Sequence, residues 1–328
     1  FSYDFLLATR RRQLEVITRA DVEAATRRIA GRVRRTPVAE ADPGAFAPAG
    51  RVWLKLEFLQ HTGSFKARGA FNRILAAAEA GELPAEGVIA ASGGNAGLAV
   101  AYAAKSLGIP AEVYVPTTAP TVKVTRLGAF GATVVHHGTE YAEAYEAATK
   151  RAADTGALFC HAYDQPEVCA GQGSVGLELL DQLGQVDTVV LAVGGGGLMA
   201  GVATALDGRA RVVGVEPETI PTLRAALAAG HPVDIEVSGI AADSLGARRV
   251  GTIAYEVAVR TGVRSVLVTD DAIVAARRWL WAQYRIVVEH GTAAALAALN
   301  SGAYRPAAGE RIAILLCGAN TDPTDLAH

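Results

Sequence analysis

Neither sign of charge is in excess in this chain of 328 residues: 31 Lys and Arg stand against 33 Asp and Glu, for a formal net charge of -2. That balance removes the electrostatic footprint expected of a nucleic-acid or polyanion binder. Cysteine is scarce. Cys160, Cys169 and Cys317 are odd in number and lack the spacing of zinc ligands, so neither a disulfide framework nor a structural metal site follows. A reducing, cytoplasmic setting is the expectation. No apolar run is long enough to span a bilayer. The apolar residues 1–7 precede Arg10, Arg11 and Arg12, the wrong charge order for a secretory signal. The missing initiator methionine fits a processed or trimmed start. Aromatics make up only 6% of a chain that is 51% hydrophobic and rich in Ala and Gly, which suits close-packed helices over a sheet better than a β-sandwich.

The length exceeds one average domain and predicts two lobes or one large α/β domain with an insertion. Over residues 18–32, Val22, Ala25, Ile29 and Ala30 recur at helical spacing behind Thr18, a natural cap. Residues 52–57 alternate like a strand and deliver the chain to a helix expected to run to Ala80. Strands at 88–91, 111–115 and 133–136 then alternate with helices at 95–107, 122–130 and 141–155. Further strands are expected at 188–193, 211–215, 265–269 and 312–316, with helices around Met199, Leu223, Ala275 and Leu296. Such alternation implies parallel sheets covered on both faces. No low-complexity linker marks a boundary, so two α/β lobes are expected, the smaller inserted in the larger, with a ligand in the cleft.

Two glycine turns stand at strand-to-helix junctions. Gly194, Gly195, Gly196 and Gly197 follow the apolar Leu191-Ala192-Val193 and free the backbone to curl its N–H groups around a phosphate at a helix N-terminus. Gly195-x-Gly197-x-x-Ala200 also matches a dinucleotide fingerprint, with Glu216 placed as the ribose-binding acid. An NAD-dependent enzyme and a non-catalytic binder of a phosphorylated metabolite therefore remain open. The second turn, Ser92-Gly93-Gly94-Asn95-Ala96-Gly97, offers a hydroxyl, an amide and exposed N–H groups to a carboxylate, unless Ser92 or Asn95 merely caps the helix.

Lys66 lies in His61-Thr62-Gly63-Ser64-Phe65-Lys66-Ala67-Arg68-Gly69-Ala70, boxed in by small residues beside an aromatic ring. Most lysines are solvated, yet this one has room around it for a large planar partner. His136 and His137 end a strand without a triad or metal spacing and fit surface roles.

The Lys66 stretch, the Ser92 turn, the tetraglycine loop and a late strand ending in Cys317-Gly318-Ala319-Asn320 occur in one order. From about residue 36 to 322 this set resembles the pyridoxal-phosphate enzymes of fold type II (tryptophan-synthase-β-like), and most closely the serine/threonine dehydratases, with serine racemase a near relative. The resemblance implies a large cofactor-binding domain over residues 1–77 and 166–328 and a small mobile domain over 78–165. It implies pyridoxal 5'-phosphate held as a Schiff base on Lys66, with Phe65 against its ring and Asn95 on its ring hydroxyl. Gly194, Gly195, Gly196, Gly197 and Leu198 would take the phosphate, and Cys317 would face the ring nitrogen. Glu289 would lie near the ring, in a Val288-Glu289-His290-Gly291 run where the family often has Pro in place of His290. Ser92, Gly93, Gly94, Asn95 and Ala96 would take the substrate carboxylate.

The implied reaction is β-elimination from a β-hydroxy amino acid such as L-threonine or L-serine, giving a 2-oxo acid and ammonia. A racemase-like or β-replacement enzyme is the alternative. In serine racemase a serine stands where this chain has Gly93, so weak racemisation is implied. Glu216 matches the first of two acidic cation ligands of the family, but Thr222 stands in place of the second, so no dedicated metal site is expected. The chain stops soon after Cys317, which leaves no room for a regulatory domain and predicts no control by isoleucine. A homodimer acting on a small amino acid, away from membranes and nucleic acids, completes the expectation.

Overall fold

The computed structural model describes residues 17–326; the apolar start and the Arg10, Arg11 and Arg12 cluster lie outside the described residues. Thr18 opens α1 (Arg19–Arg28) by a reciprocal cap: its hydroxyl accepts the Asp21 N–H at 3.3 Å, and the Asp21 carboxylate accepts the Thr18 N–H at 2.8 Å. β1 (Val38–Glu40) and β2 (Val52–Lys55) lead through two 3₁₀ turns to α2 (Lys66–Glu79). The smaller lobe follows as β3 (Val88–Ala91), α3 (Asn95–Leu107), β4 (Ala111–Val115), α4 (Thr121–Ala129), β5 (Thr133–His136), α5 (Tyr141–Thr155) and β6 (Leu158–Phe159). The chain then returns through α6 (Pro166–Leu183), β7 (Thr188–Ala192), α7 (Gly197–Leu206), β8 (Arg211–Pro217) and α8 (Thr222–Ala229). α9 (Ala242–Leu245), α10 (Thr252–Thr261), β9 (Arg264–Val268), α11 (Asp270–Tyr284), α12 (His290–Asn300) and β10 (Ile312–Leu315) complete the larger lobe.

The larger sheet runs β1-β2-β10-β7-β8-β9 and the smaller β5-β4-β3-β6. Every pairing is parallel except β1 with β2, an antiparallel edge that the sequence pattern does not signal. Along β7 the side chains alternate between two cores. Val190 and Ala192 pack with α11 and α12, while Val189 and Leu191 pack with α6, α7 and α10. A sheet buried on both faces needs the near-continuous apolar strands seen here.

α6, the longest helix described, has no counterpart in the sequence reading. Its glycines dilute the apolar periodicity because they serve close approach: a Cβ on Gly171 would lie 2.6 Å from the Arg68 carbonyl oxygen, and one on Gly173 the same distance from that of Gly201. The helix is thereby pressed against α2 on one side and α7 on the other.

Charge joins them too. The buried Arg68 guanidinium donates from Nε to Glu57 Oε1 at 2.6 Å and from Nη2 to Glu57 Oε2 at 2.9 Å and Glu178 Oε2 at 3.0 Å, with Nη1 on Ser174 Oγ at 3.1 Å. Lys55 Nζ completes the cluster on Glu178, Thr36 O and Gln182 at 2.5, 2.7 and 2.8 Å. Two cations and two carboxylates thus fasten β2, α2 and α6 together.

The helix contact is testable. On Gly201 a Cβ would sit 2.2 Å from the Cys169 carbonyl oxygen and 2.4 Å from the Gly173 nitrogen. Gly201→Ala is expected to cost about 1–3 kcal/mol or more, read as a lower urea midpoint with an unchanged slope; an unaltered midpoint would refute the contact.

Candidate active site

Three neighbouring strands, β2, β10 and β7, end on the same side of the larger sheet, the usual place for ligands in open α/β sheets. Beyond β2 comes Lys66, beyond β10 comes Cys317, and beyond β7 comes the tetraglycine loop. Two contacts bind the first to the second: Ser64 bridges antiparallel to Gly318, and the Phe65 N–H donates to the Cys317 carbonyl oxygen at 3.0 Å. The smaller sheet brings the Ser92 turn from the end of β3 and residues 161–163 from the end of β6.

Lys66 occupies the first position of α2 and lies partly buried, with Nζ donating to the Ala162 carbonyl oxygen at 2.7 Å and standing 4.9 Å from the Phe65 ring centre. Burial pushes its amine down to about 8, a shift that nearby Cys317, Cys169 and Glu289 only partly offset. The Cys317 thiol moves the other way. Burial raises it to about 12 although the Thr292 hydroxyl, 3.2 Å from its sulfur, pulls it down, so it stays protonated near neutral pH.

The tetraglycine loop presents donors without acceptors. Among the described residues nothing accepts from the backbone N–H groups of Gly194, Gly195, Gly196, Gly197 or Leu198, and all five stand at the N-terminal end of α7. Such a row at a helix N-terminus is a receptor for an anion. Gly196 takes φ +86°, and a Cβ on Gly195 would meet the Tyr163 ring at 2.3 Å, so the loop tolerates no side chain at either place. The phosphate of pyridoxal phosphate fits this row of free amides.

Glu216 corrects the dinucleotide reading. Its buried carboxylate accepts the N–H groups of Leu223 and Arg224 at 2.6 and 3.0 Å and the Ser265 hydroxyl at 3.2 Å. The Thr222 hydroxyl lies 3.0 Å from Glu216 Oε1 and 2.7 Å from the Gly194 carbonyl oxygen. Glu216 is therefore turned inward onto the start of α8, where no ribose reaches it.

Across the cleft, the N–H groups of Asn95 and Ala96 at the start of α3 likewise have no acceptor among the described residues. The Asn95 side chain donates to Glu289 Oε1 and Oε2 at 2.8 and 3.1 Å and accepts from Asn320 Nδ2 at 2.7 Å. Burial pushes the Glu289 carboxyl up, while its hydrogen bonds from Asn95 and the Asn320 N–H pull it back. Arg126 of α4 reaches Asn320 Oδ1 at 2.5 Å. Gly93, Gly94, Asn95, Arg126, Glu289 and Asn320 line a pocket of about 30 Å³. The nearest neighbour of a Cβ on Gly93 would be Val115 Cγ1 at 3.6 Å, so this position is open.

The fold thus gathers Phe65, Lys66, Ser92, Gly93, Gly94, Asn95, Ala96, Gly194, Gly195, Gly196, Gly197, Leu198, Glu289 and Cys317 around one cleft. Arg126, Ala162 and Tyr163 join them without having been singled out by sequence. The Ala162 contact uses a main-chain carbonyl, which no residue type betrays.

An amine of lowered pKa set between two rows of free amides defines an enzyme site that takes a phosphorylated, carbonyl-bearing cofactor. Residues 29–318 match the family model described as pyridoxal-phosphate dependent enzyme, and the chain belongs to that family, within fold type II. It is 37% identical over 311 residues to an L-threonine ammonia-lyase of Thermotoga maritima, covering 94% of this chain and 76% of the relative. It is 38% identical over 324 residues to a phenylserine dehydratase of Ralstonia pickettii, covering 96% and 98%. A solved maize serine racemase superposes with a TM-score of 0.88 at 31% identity, over 95% of this chain and 96% of that one. The chain is a pyridoxal-phosphate-dependent ammonia-lyase of the serine/threonine dehydratase type.

In the cofactor-free protein, Lys66 is expected to react with an amine-acylating reagent with a half-point near pH 8. Exposed lysines follow their ordinary value of about 10.4. Peptide mapping of the labelled protein against pH checks this, and a Lys66 half-point near the ordinary value would contradict the burial argument.

Proposed function

We propose that this chain converts a β-hydroxy amino acid such as L-threonine or L-serine to a 2-oxo acid and ammonia, with Lys66 as the group that holds the cofactor and then takes the Cα proton. The observation that carries the assignment is the Lys66 amine, lowered to about 8 and facing the Ala162 carbonyl between two rows of free N–H groups. Pyridoxal phosphate, when bound, draws off the electron pair that remains at Cα. The residues supply the rest. Gly194, Gly195, Gly196, Gly197 and Leu198 hold the phosphate through their N–H groups, and Asn95 and Phe65 orient the ring. Ser92, Gly93, Gly94, Asn95 and Ala96 receive the substrate carboxylate at the start of α3, where the helix favours an anion. Near pH 8 a sizeable fraction of Lys66 is neutral and able to accept a proton. Cys317, protonated in that range, offers the ring nitrogen a neutral partner instead of a carboxylate's charge, which suits elimination better than transamination. The same reading takes residues 78–165 as a mobile small domain and the working unit as a cytoplasmic homodimer; among the described residues no helix is long and apolar enough to cross a membrane.

A racemase reading has one observation behind it, the fold shared with solved serine racemases of maize and Dictyostelium discoideum. Racemisation needs a proton donor on the far face of Cα, and Gly93 has no side chain to provide one.

Lys66→Ala is expected to abolish ammonia release from L-threonine while leaving the circular dichroism spectrum intact; residual turnover above about one part in a thousand would remove Lys66 from the central role, since general base catalysis alone contributes about 10²–10⁴-fold. Interconversion of L- and D-serine should run far below pyruvate formation. Comparable rates, followed by chiral chromatography, would overturn the argument from Gly93.

A further inference from the structure

Four aromatics among the described residues gather with one histidine. Tyr141 and Tyr145 stand one turn apart on α5, Phe159 ends β6, and His161 and Tyr163 follow it two and four residues on. The two sets meet ring to ring. Centroids lie 6.0 Å apart for Tyr141 and Tyr145, 5.6 Å for Tyr145 and Phe159, 5.7 Å for Tyr145 and His161, and 4.7 Å for His161 and Tyr163. Three of these four pairs are edge-to-face, the arrangement that ring quadrupoles favour.

This wall begins at the reacting centre and runs outward. Tyr163 lies over Gly195 of the phosphate loop, and Ala162, between His161 and Tyr163, carries the carbonyl that meets Lys66 Nζ at 2.7 Å. At the far end Tyr141 keeps 50% of its surface exposed, so the wall runs from the buried lysine out to solvent. The wall is uncharged. His161 Nδ1 accepts the N–H groups of Tyr163 and Asp164 at 3.1 and 2.8 Å, and burial lowers its pKa, so its ring stays neutral. The tyrosine hydroxyls, all raised by burial, stay protonated. The cations that act on these rings are Lys66, on His161, and Arg249, on Tyr163, and Arg249 is already paired with Asp234 at 2.8 Å, so the wall offers a β-carboxylate little, and a methyl group would reach little of the surface. A planar apolar substituent matches it.

We propose that the substrate's β-substituent lies along this wall and that the enzyme takes β-aryl β-hydroxy amino acids in preference to those with a β-methyl group. The inference rests on the β-elimination reading above. The Cα proton leaves to Lys66, the Cβ–O bond breaks, and the hydroxyl departs as water. The resulting enamine becomes an imine, and one water is regained as it hydrolyses, so a 3-aryl-2-oxo acid and ammonia balance the substrate.

The test measures ammonia release by the cofactor-loaded protein from threo-3-phenylserine and from threonine, and, by calorimetry, its binding of L-phenylalanine and L-alanine, which lack a leaving group. Phenylserine is expected to show the higher kcat/KM, and phenylalanine to bind about tenfold more tightly than alanine. In Tyr145→Ala the phenylserine-to-threonine ratio of kcat/KM should fall about tenfold, and in Tyr145→Phe it should be retained. A ratio taken within one preparation is independent of how much of the variant folds. Turnover of threonine with phenylserine excluded, or a ratio that Tyr145→Ala leaves unmoved, overturns the wall alone. If neither amino acid releases ammonia while phenylalanine still binds more tightly than alanine through Tyr145, the wall stands and the dehydratase reading falls.

Discussion

The buried ion cluster of Lys55, Glu57, Arg68 and Glu178 is the constraint on which the site depends. Arg68 lies two residues beyond Lys66 in the first turn of α2, and its guanidinium is held by carboxylates from the turn before the helix and from α6. With Arg68 so tied, α2 has little freedom to rotate or slide, and the direction of Lys66 follows. Clusters of this kind add little net stability over a well-packed apolar substitute, but the loss of a single member strands a buried charge. Specification of geometry is what this one contributes: it joins β2, α2 and α6 before any ligand is present.

From that anchor the site assembles by strand order. Because β2, β10 and β7 are neighbours in one sheet, the lysine, the thiol and the glycine loop arrive side by side although their positions in the chain are far apart. The smaller lobe adds the carboxylate turn and the Ala162 carbonyl from its own strand ends. Hydrogen bonds of Asn95, Arg126 and Asn320 cross between the lobes, so the carboxylate receptor and the cofactor side of the cleft are held in register.

Much of this was legible in the sequence because it is written in residues that work through backbone. Glycine turns at strand ends and a lysine among small residues carry their meaning locally, and the strands and helices of the small lobe follow the expected alternation closely. What escaped detection depends on direction or on long-range packing. Glu216 stands where a ribose-binding acid would, but sequence position does not say which way a carboxylate turns, and the amides of α8 claim it. α6 is hidden because Gly171, Gly173 and Gly176 answer to neighbouring helices and not to a solvent face. The ring contacts of Tyr145 with Phe159 and His161 follow two periods, one helical and one extended, whose meeting only the fold arranges.

Thr222 carries one last consequence. Its hydroxyl, near both the Gly194 carbonyl and Glu216, braces the phosphate loop from behind. A run of four glycines would otherwise be among the costliest segments of a chain to order. Bracing it during folding means that this entropy is already lost before the cofactor arrives, so less of the phosphate's binding energy goes to immobilising the backbone that receives it. The loop is preorganised, and its glycines serve shape without bringing mobility.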